Sequence, residues 1–256
     1  MNQRVTVCVG ALALVCSTAS VASADFVSFE IRGTPGIQTN NTYTPGAIEF
    51  IIDAGGEKAA LGSSDIDGSL LGDLLNVSIV RWDDESRFTA GSGPAVAPYL
   101  NFWITDGTNF AVVANEPSNP DFQALYNNGY SLSFADLSDK VAKVYENADT
   151  TWLPNNGVGL TFADLAGFTI MAPSTAQLTT GWAGLGTGAP RELGTNQAYG
   201  VNWVFGDTLA NYVSGDEGYV VSGASVTAAP EPATLALLGV GGLVLGGRLR
   251  RRTSRS

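Results

Sequence analysis

Tyr99-Leu100-Asn101-Phe102-Trp103-Ile104-Thr105 sets the reading of the whole chain. Leu100, Phe102 and Ile104 fall on one side of an extended backbone, and Tyr99, Asn101, Trp103 and Thr105 on the other. Such period-two alternation is the mark of a β-strand. It recurs at Val27–Arg32, where Val27, Phe29 and Ile31 alternate with Ser28, Glu30 and Arg32, and around Ile48, Phe50 and Ile52. Leu74–Trp82, Phe110–Ala114, Tyr130–Phe134, Val158–Phe162, Phe168–Met171, Tyr199–Phe205 and Tyr219–Thr227 complete a set of short apolar runs separated by Gly, Pro, Asn and Asp. The pattern predicts an all-β domain, an antiparallel β-sandwich or jelly roll. One stretch, Leu137, Val141, Val144 and Tyr145, has helical spacing but residue types that also suit a twisted strand. Leu132-Ser133-Phe134-Ala135-Asp136-Leu137 returns as Leu160-Thr161-Phe162-Ala163-Asp164-Leu165. Two copies are too few for a solenoid, so they read as equivalent strand-end corners.

The two ends of the 256-residue chain differ from this middle. Arg4, the apolar run Val5–Val15 and then Ala22-Ser23-Ala24 describe a secretory signal peptide cut after Ala24, with Ala22 and Ala24 as the small residues of the site. At the other end Pro230-Glu231-Pro232 precedes the uncharged stretch Ala233 to Gly247, followed by Arg248, Arg250, Arg251, Arg252 and Arg255. Fifteen residues make a helix of about 22 Å, short for a hydrocarbon core, and the arginines that follow belong on the cytoplasmic side. The expected division is a signal peptide over 1–24, an exported domain over 25–228 and a tail over 229–256. On this reading the domain is flanked by a signal helix and a short transmembrane helix.

Pro-Glu-Pro, a short Leu/Gly-rich helix and a terminal Arg cluster, in that order, resemble the PEP-CTERM sorting signal of exported bacterial proteins. The resemblance covers residues 230 to 252. It implies recognition of Pro230, Glu231 and Pro232 by an exosortase, after a signal peptidase has acted at the other end. It also implies a transient inner-membrane stop on the way to the cell surface or extracellular polysaccharide.

Composition narrows what the exported domain can do. The chain has no histidine, and its two cysteines, Cys8 and Cys16, lie in the leader. His-based triads, His-ligated metals, a Cys nucleophile and disulfides are therefore unavailable to the domain. Between residues 25 and 228 seven basic residues face 23 acidic ones, a net charge of −16. Such a surface repels phosphate backbones, so nucleic acid is excluded as a partner. No nucleophile elbow or phosphate loop is present. Paired carboxylates could serve a polysaccharide-degrading enzyme, but no motif sets two of them across a cleft. The domain reads as non-enzymatic, either carbohydrate-binding or a purely structural coat component.

The candidate ligand-binding residues are Tyr99, Asn101 and Trp103, two aromatics beside an amide, which is the chemistry that grips a sugar ring. The alternative is that β-structure covers both faces of this strand, which makes Trp103 core. Trp182, in Thr180-Gly181-Trp182-Ala183-Gly184, is a further candidate on a loop; Trp203 alternates with Val201 and Phe205 and reads as core, and Trp82 is a weaker candidate. Asp83, Asp84 and Glu85 could supply oxygen ligands to a structural calcium, the one cofactor the sequence admits, or form a solvated strand end. Asp65-Ile66-Asp67-Gly68-Ser69 lacks the calcium-loop spacing and reads as a turn. The single Thr-x-Thr, Thr42-Tyr43-Thr44, makes no ranked threonine face for ice.

Overall fold

The computed structural model describes residues 25–83, 97–116, 119–122, 130–145, 149–179, 188–207 and 216–230. These residues form β1 (Val27–Arg32), β2 (Gly36–Thr39), β3 (Ile48–Ile51), β4 (Lys58–Ser63), β5 (Leu74–Arg81), β6 (Tyr99–Thr105), β7 (Phe110–Ala114), β8 (Ser131–Leu132), β9 (Lys143–Tyr145), β10 (Thr169–Ile170), β11 (Val201–Phe205) and β12 (Tyr219–Ala228). One sheet runs β1-β4-β11-β6-β7-β9, with β10 also paired to β6, and the other runs β2-β3-β12-β5-β8. Every strand pairing is antiparallel. The expected signal helix and C-terminal helix fall outside the described residues. Among the described residues no helix is long and apolar enough to cross a membrane.

The two sheets share one core. Phe50 of β3 stacks on Phe205 of β11 with centroids 4.1 Å apart, and Phe205 meets Tyr219 of β12 at 5.5 Å. Tyr130 packs edge-on against Trp203 at 5.8 Å. Each such buried side chain contributes about 1.5–3 kcal/mol, and residues 25–228 hold no cysteine to supplement them.

Strand positions depart from the sequence reading in two ways. β4, Lys-Ala-Ala-Leu-Gly-Ser, was not visible as alternation, because it lies between β1 and β11 with every residue buried. A strand covered on both faces has no polar side to alternate with. β2 and β9 are short strands at sheet edges and gave too few residues to show a period. Conversely, Val158–Phe162 is no strand. Asn155, Asn156, Gly157 and Gly159 all have positive φ and turn the chain there, leaving a single bridge from Thr161 to Val141. The ambiguous Leu137–Tyr145 stretch splits: Phe134–Leu137 is a helical turn and Lys143–Tyr145 is β9.

The repeated Ala-Asp-Leu corners share one geometry. In the first, the Ser133 backbone N–H and hydroxyl both donate to Asp136 Oδ2 at 2.7 Å. In the second, Thr161 does the same to Asp164 Oδ2 at 2.8 Å. Each is a capping box that satisfies donors at the start of a short helical turn, and the leucine that follows, Leu137 or Leu165, is buried. The corners abut: Phe162 N–H donates to the Lys140 carbonyl and Ala163 N–H to that of Ser138.

Two acids, Asp83 buried and Asp67 half-buried, set local stability. Arg81 and Asp83 form an ion pair with almost no exposure. Asp83 Oδ1 also accepts from the Val220 N–H at 3.1 Å, and Arg81 Nη1 donates to the Tyr130 hydroxyl at 2.6 Å. Asp67, in the Asp65–Gly68 turn, presses on the start of β11: a β-carbon on Gly200 would lie 2.0 Å from Asp67 Oδ1. Burial pushes the Asp67 carboxyl up to about 6, opposed by hydrogen bonds from the Ser64 side chain and the Gly200 backbone.

Asp83→Ala removes the carboxylate that faces a buried guanidinium and costs about 3–5 kcal/mol in urea unfolding, more than the joint replacement Arg81→Met with Asp83→Leu. Equal loss in both variants would show that the pair's charge is not what matters. For Asp67 the folded value lies above the usual 3.8, so the stabilising preference for the protonated form is complete below about pH 4 and lost as pH rises through 6. Asp67→Asn is therefore expected to exceed the parent at pH 7.5 by on the order of 1–2 kcal/mol, discounted for partial exposure. The gap closes at pH 4, and a difference constant with pH counts against the assignment.

Candidate functional site

β6 lies between β11 and β7, so its two faces meet two different layers. Leu100, Phe102 and Ile104 enter the core between the sheets. On the other face Trp103 joins Phe110 and Val112, and Leu178, Ala189 and Ala198 from the segment after β10 close over them. Trp103 Nε1 donates to the Pro190 carbonyl at 3.0 Å, and Asn101 Nδ2 donates to the Tyr145 hydroxyl at 2.6 Å. Tyr99, Asn101 and Trp103 are 3%, 0% and 0% exposed. The sugar-gripping face anticipated from alternation is thus a covered one. The chemistry is right for a glycan, but a second layer occupies the place a pyranose would take. Trp203 is core, as its alternation indicated. Trp182 lies outside the described residues.

The acidic run divides similarly. Asp83 points inward, where Arg81 and the Val220 N–H take both of its oxygens. A calcium ion would have to displace a guanidinium there, so Asp83 is not a free ligand. Asp84 and Glu85 lie outside the described residues. Asp65–Gly68 is the turn expected. Among the described residues no group of three or more acidic side chains is placed to hold a metal ion.

The five-stranded sheet leaves part of its outer face to solvent, although Val220 and Glu49 on that face are buried. Along β5, Val77 and Ile79 enter the core while Ser78 and Val80 point out, and Trp82 continues the outward row. The neighbouring outward side chains are polar: Ser78 and Ser225 hydroxyls meet at 2.8 Å, and the Ser131 hydroxyl donates to Asn76 Oδ1 at 2.8 Å. Glu49 accepts from Gln38 and Asn40 side chains and from the Gly218 N–H. At one end of this face Tyr43, from the turn joining β2 to β3, lies nearly parallel to Trp82, with centroids 6.1 Å apart and planes 17° from parallel. Trp82 Nε1 donates to Ser222 Oγ at 2.8 Å, and the Tyr43 hydroxyl donates to Glu217 at 2.5 Å. The Glu217 hydrogen bond raises the phenol's pKa above its ordinary value, with desolvation and the charges of Glu217, Asp83 and Glu49 adding to it. Both rings remain about two-fifths exposed, 42% for Tyr43 and 39% for Trp82.

The sequence reading passed over Tyr43 and ranked Trp82 low. The available signal was an aromatic set among turn formers, Asn40-Asn41-Thr42-Tyr43-Thr44-Pro45-Gly46, where no apolar neighbour in sequence could bury it.

At the C-terminal end β12 runs to Ala228, and Ala229 N–H donates to the Asp73 carbonyl at 2.8 Å. Pro230 follows, fully out in solvent. The ordered sheet therefore ends two residues before the proline-marked segment, and the chain leaves it from an exposed position. Glu231, Pro232, Arg248, Arg250, Arg251 and Arg252 lie outside the described residues, as do Ala22 and Ala24.

Comparison with curated proteins finds no match to this chain, and comparison with solved structures finds none either. A family model does match, over residues 228–252, and its description is the PEP-CTERM protein-sorting motif. It begins where β12 ends and takes in Pro230-Glu231-Pro232 and the arginines through Arg252; the chain carries the PEP-CTERM motif of exported proteins sorted by an exosortase to the surface or beyond it.

Proposed function

We propose that this protein is a non-enzymatic component of the cell surface or extracellular matrix. Residues 1–24 serve as its export signal, residues 25–228 as its working domain, and residues 229–256 as a tail removed after a transient stay in the inner membrane. The observation that carries this reading is the sorting motif placed directly after the last strand. A protease acting near Pro230 meets an exposed chain rather than a strand it must first unpair.

Two features support a passive rather than catalytic domain. Three buried acids are held by the fold: Glu57 receives the Asp53 and Ala54 N–H groups at 3.1 Å, Glu49 receives three donors, and Asp83 is held by Arg81. Carboxylates fixed in this way are not poised to move protons to a substrate. The net charge of −16 suits a hydrated layer, where like charges keep neighbouring copies apart. The shared aromatic core of the two sheets favours a β-sandwich over other all-β arrangements. Contact with extracellular polysaccharide belongs to the same reading, on a surface other than Tyr99, Asn101 and Trp103.

Replacing Pro230 and Pro232 together by Ala, in a host that makes an exosortase, is expected to leave an unprocessed precursor in the membrane fraction. Intact-mass measurement of the released and membrane-bound pools reads the outcome. Equal C-terminal cleavage and release of the variant would overturn the sorting assignment.

A further inference from the structure

The two sheets treat their outer faces differently. That of the larger sheet is roofed over Trp103 by Leu178, Ala189 and Ala198. That of the smaller sheet is covered only in part: Glu49 and Val220 are buried on it, while Val80, a row of hydroxyls and amides, and two aromatic rings about two-fifths exposed remain open. Rings on a solvated sheet face ordinarily gain by packing inward, yet Tyr43 and Trp82 are instead pinned in place. The Ser222 hydroxyl fixes the indole and Glu217 fixes the phenol. The hydrogen bonds hold the polar edges, and the two rings, stacked on each other, each keep about two-fifths of their surface exposed.

We propose that Tyr43 and Trp82 form the stacking platform of a saccharide-binding site for pyranose glycans that carry no negative charge. The C–H face of a pyranose lies on an aromatic ring, and its hydroxyls exchange hydrogen bonds with neighbouring polar side chains. Here Ser222 and Glu217 stand at the ring edges, and the serine and asparagine hydroxyls and amides continue along the sheet face. Charge selects among glycans. The domain's net charge of −16 repels uronate or sulfated chains and accepts neutral or amine-bearing ones.

Shape selects the binding mode. A cleft of about 270 Å³ shares Ser222 with the platform and is lined by Asp25, Phe26, Ile48 and Leu61. That is below the roughly 300–1,000 Å³ of an enclosing ligand pocket. The site therefore lays a chain across an open face and does not swallow a single sugar. This inference rests on the surface-protein reading for where the glycan is met, but binding is testable independently of sorting.

The test uses full-length protein purified in a zwitterionic detergent, so that no sugar head group competes. Retention is measured on immobilised galactomannan as the neutral probe, chitosan as the cationic probe and alginate as the anionic probe. The parent is expected to be retained on galactomannan or chitosan and not on alginate. Tyr43→Ala and Trp82→Ala each weaken retention between roughly twofold and tenfold, and the double variant abolishes it. Trp82→Leu, which keeps apolar bulk and loses the ring face, guards against a folding defect, with near-UV circular dichroism as the check. Retention on none of the probes, retention only on alginate, or retention unchanged in the double variant or in Trp82→Leu would overturn the proposal. Any of these results leaves C-terminal processing at Pro230-Glu231-Pro232 untouched, so the two readings fail separately.

Discussion

The stack of Phe50 on Phe205 fixes how the two sheets meet. It joins β3 of the smaller sheet to β11 of the larger, and Tyr219 and Trp203 extend the contact to β12 and to Tyr130. With no cysteine in the domain, burial between the sheets carries the stability that disulfides supply in many exported proteins. Close backbone approach is part of the same constraint. Gly218 stands where a β-carbon would lie 2.2 Å from the Phe50 carbonyl oxygen, and Gly200 yields its place to Asp67. The aromatic core thus sets where glycine is required at the ends of β11 and β12.

How much of this was legible depended on whether a strand had one wet face. β1, β5 and β12 each carry partly exposed residues between buried ones, so alternation located them. β6 and β11 are buried throughout, and polar side chains inside them imitated a wet face. Asn101 and Asn202 are the clearest case. They stand opposite each other in the β6–β11 ladder, where Asn101 bonds Tyr145 and Asn202 bonds the Tyr199 carbonyl at 2.7 Å. In sequence Asn101 fell on the face taken as a candidate sugar-binding one. A buried amide supplied with a partner satisfies the same pattern, and period-two reading cannot separate the two. The covering segment after β10 is far from β6 in sequence, so nothing local announced it.

The tail was legible for the opposite reason. Pro-Glu-Pro, a short apolar stretch and a basic end are consecutive, and their meaning does not depend on tertiary contacts. The capping boxes were legible in part: the repeated Ala-Asp-Leu flagged equivalent corners, and the structure supplies the Ser133–Asp136 and Thr161–Asp164 bonds that make them so. Local chemistry could be read directly, whereas coverage by distant segments could not.

The difference between the outer faces follows from the same packing logic. Roofing the larger sheet buries Trp103, Phe110 and Val112 and adds apolar area to a domain without cross-links. Leaving the smaller sheet open requires that its outward row be polar, since a contiguous apolar face of that extent invites association. Serine, asparagine and glutamine meet the requirement at Ser78, Ser225, Asn76 and Gln38, and a dense negative charge keeps copies apart. Val80 breaks the rule within the row, and Tyr43 and Trp82 break it at one end of the face. Their exposure is maintained by two specific hydrogen bonds rather than left over from imperfect packing. A hydroxylated ring with one apolar face can cover Tyr43 and Trp82 without giving up the surrounding polar contacts.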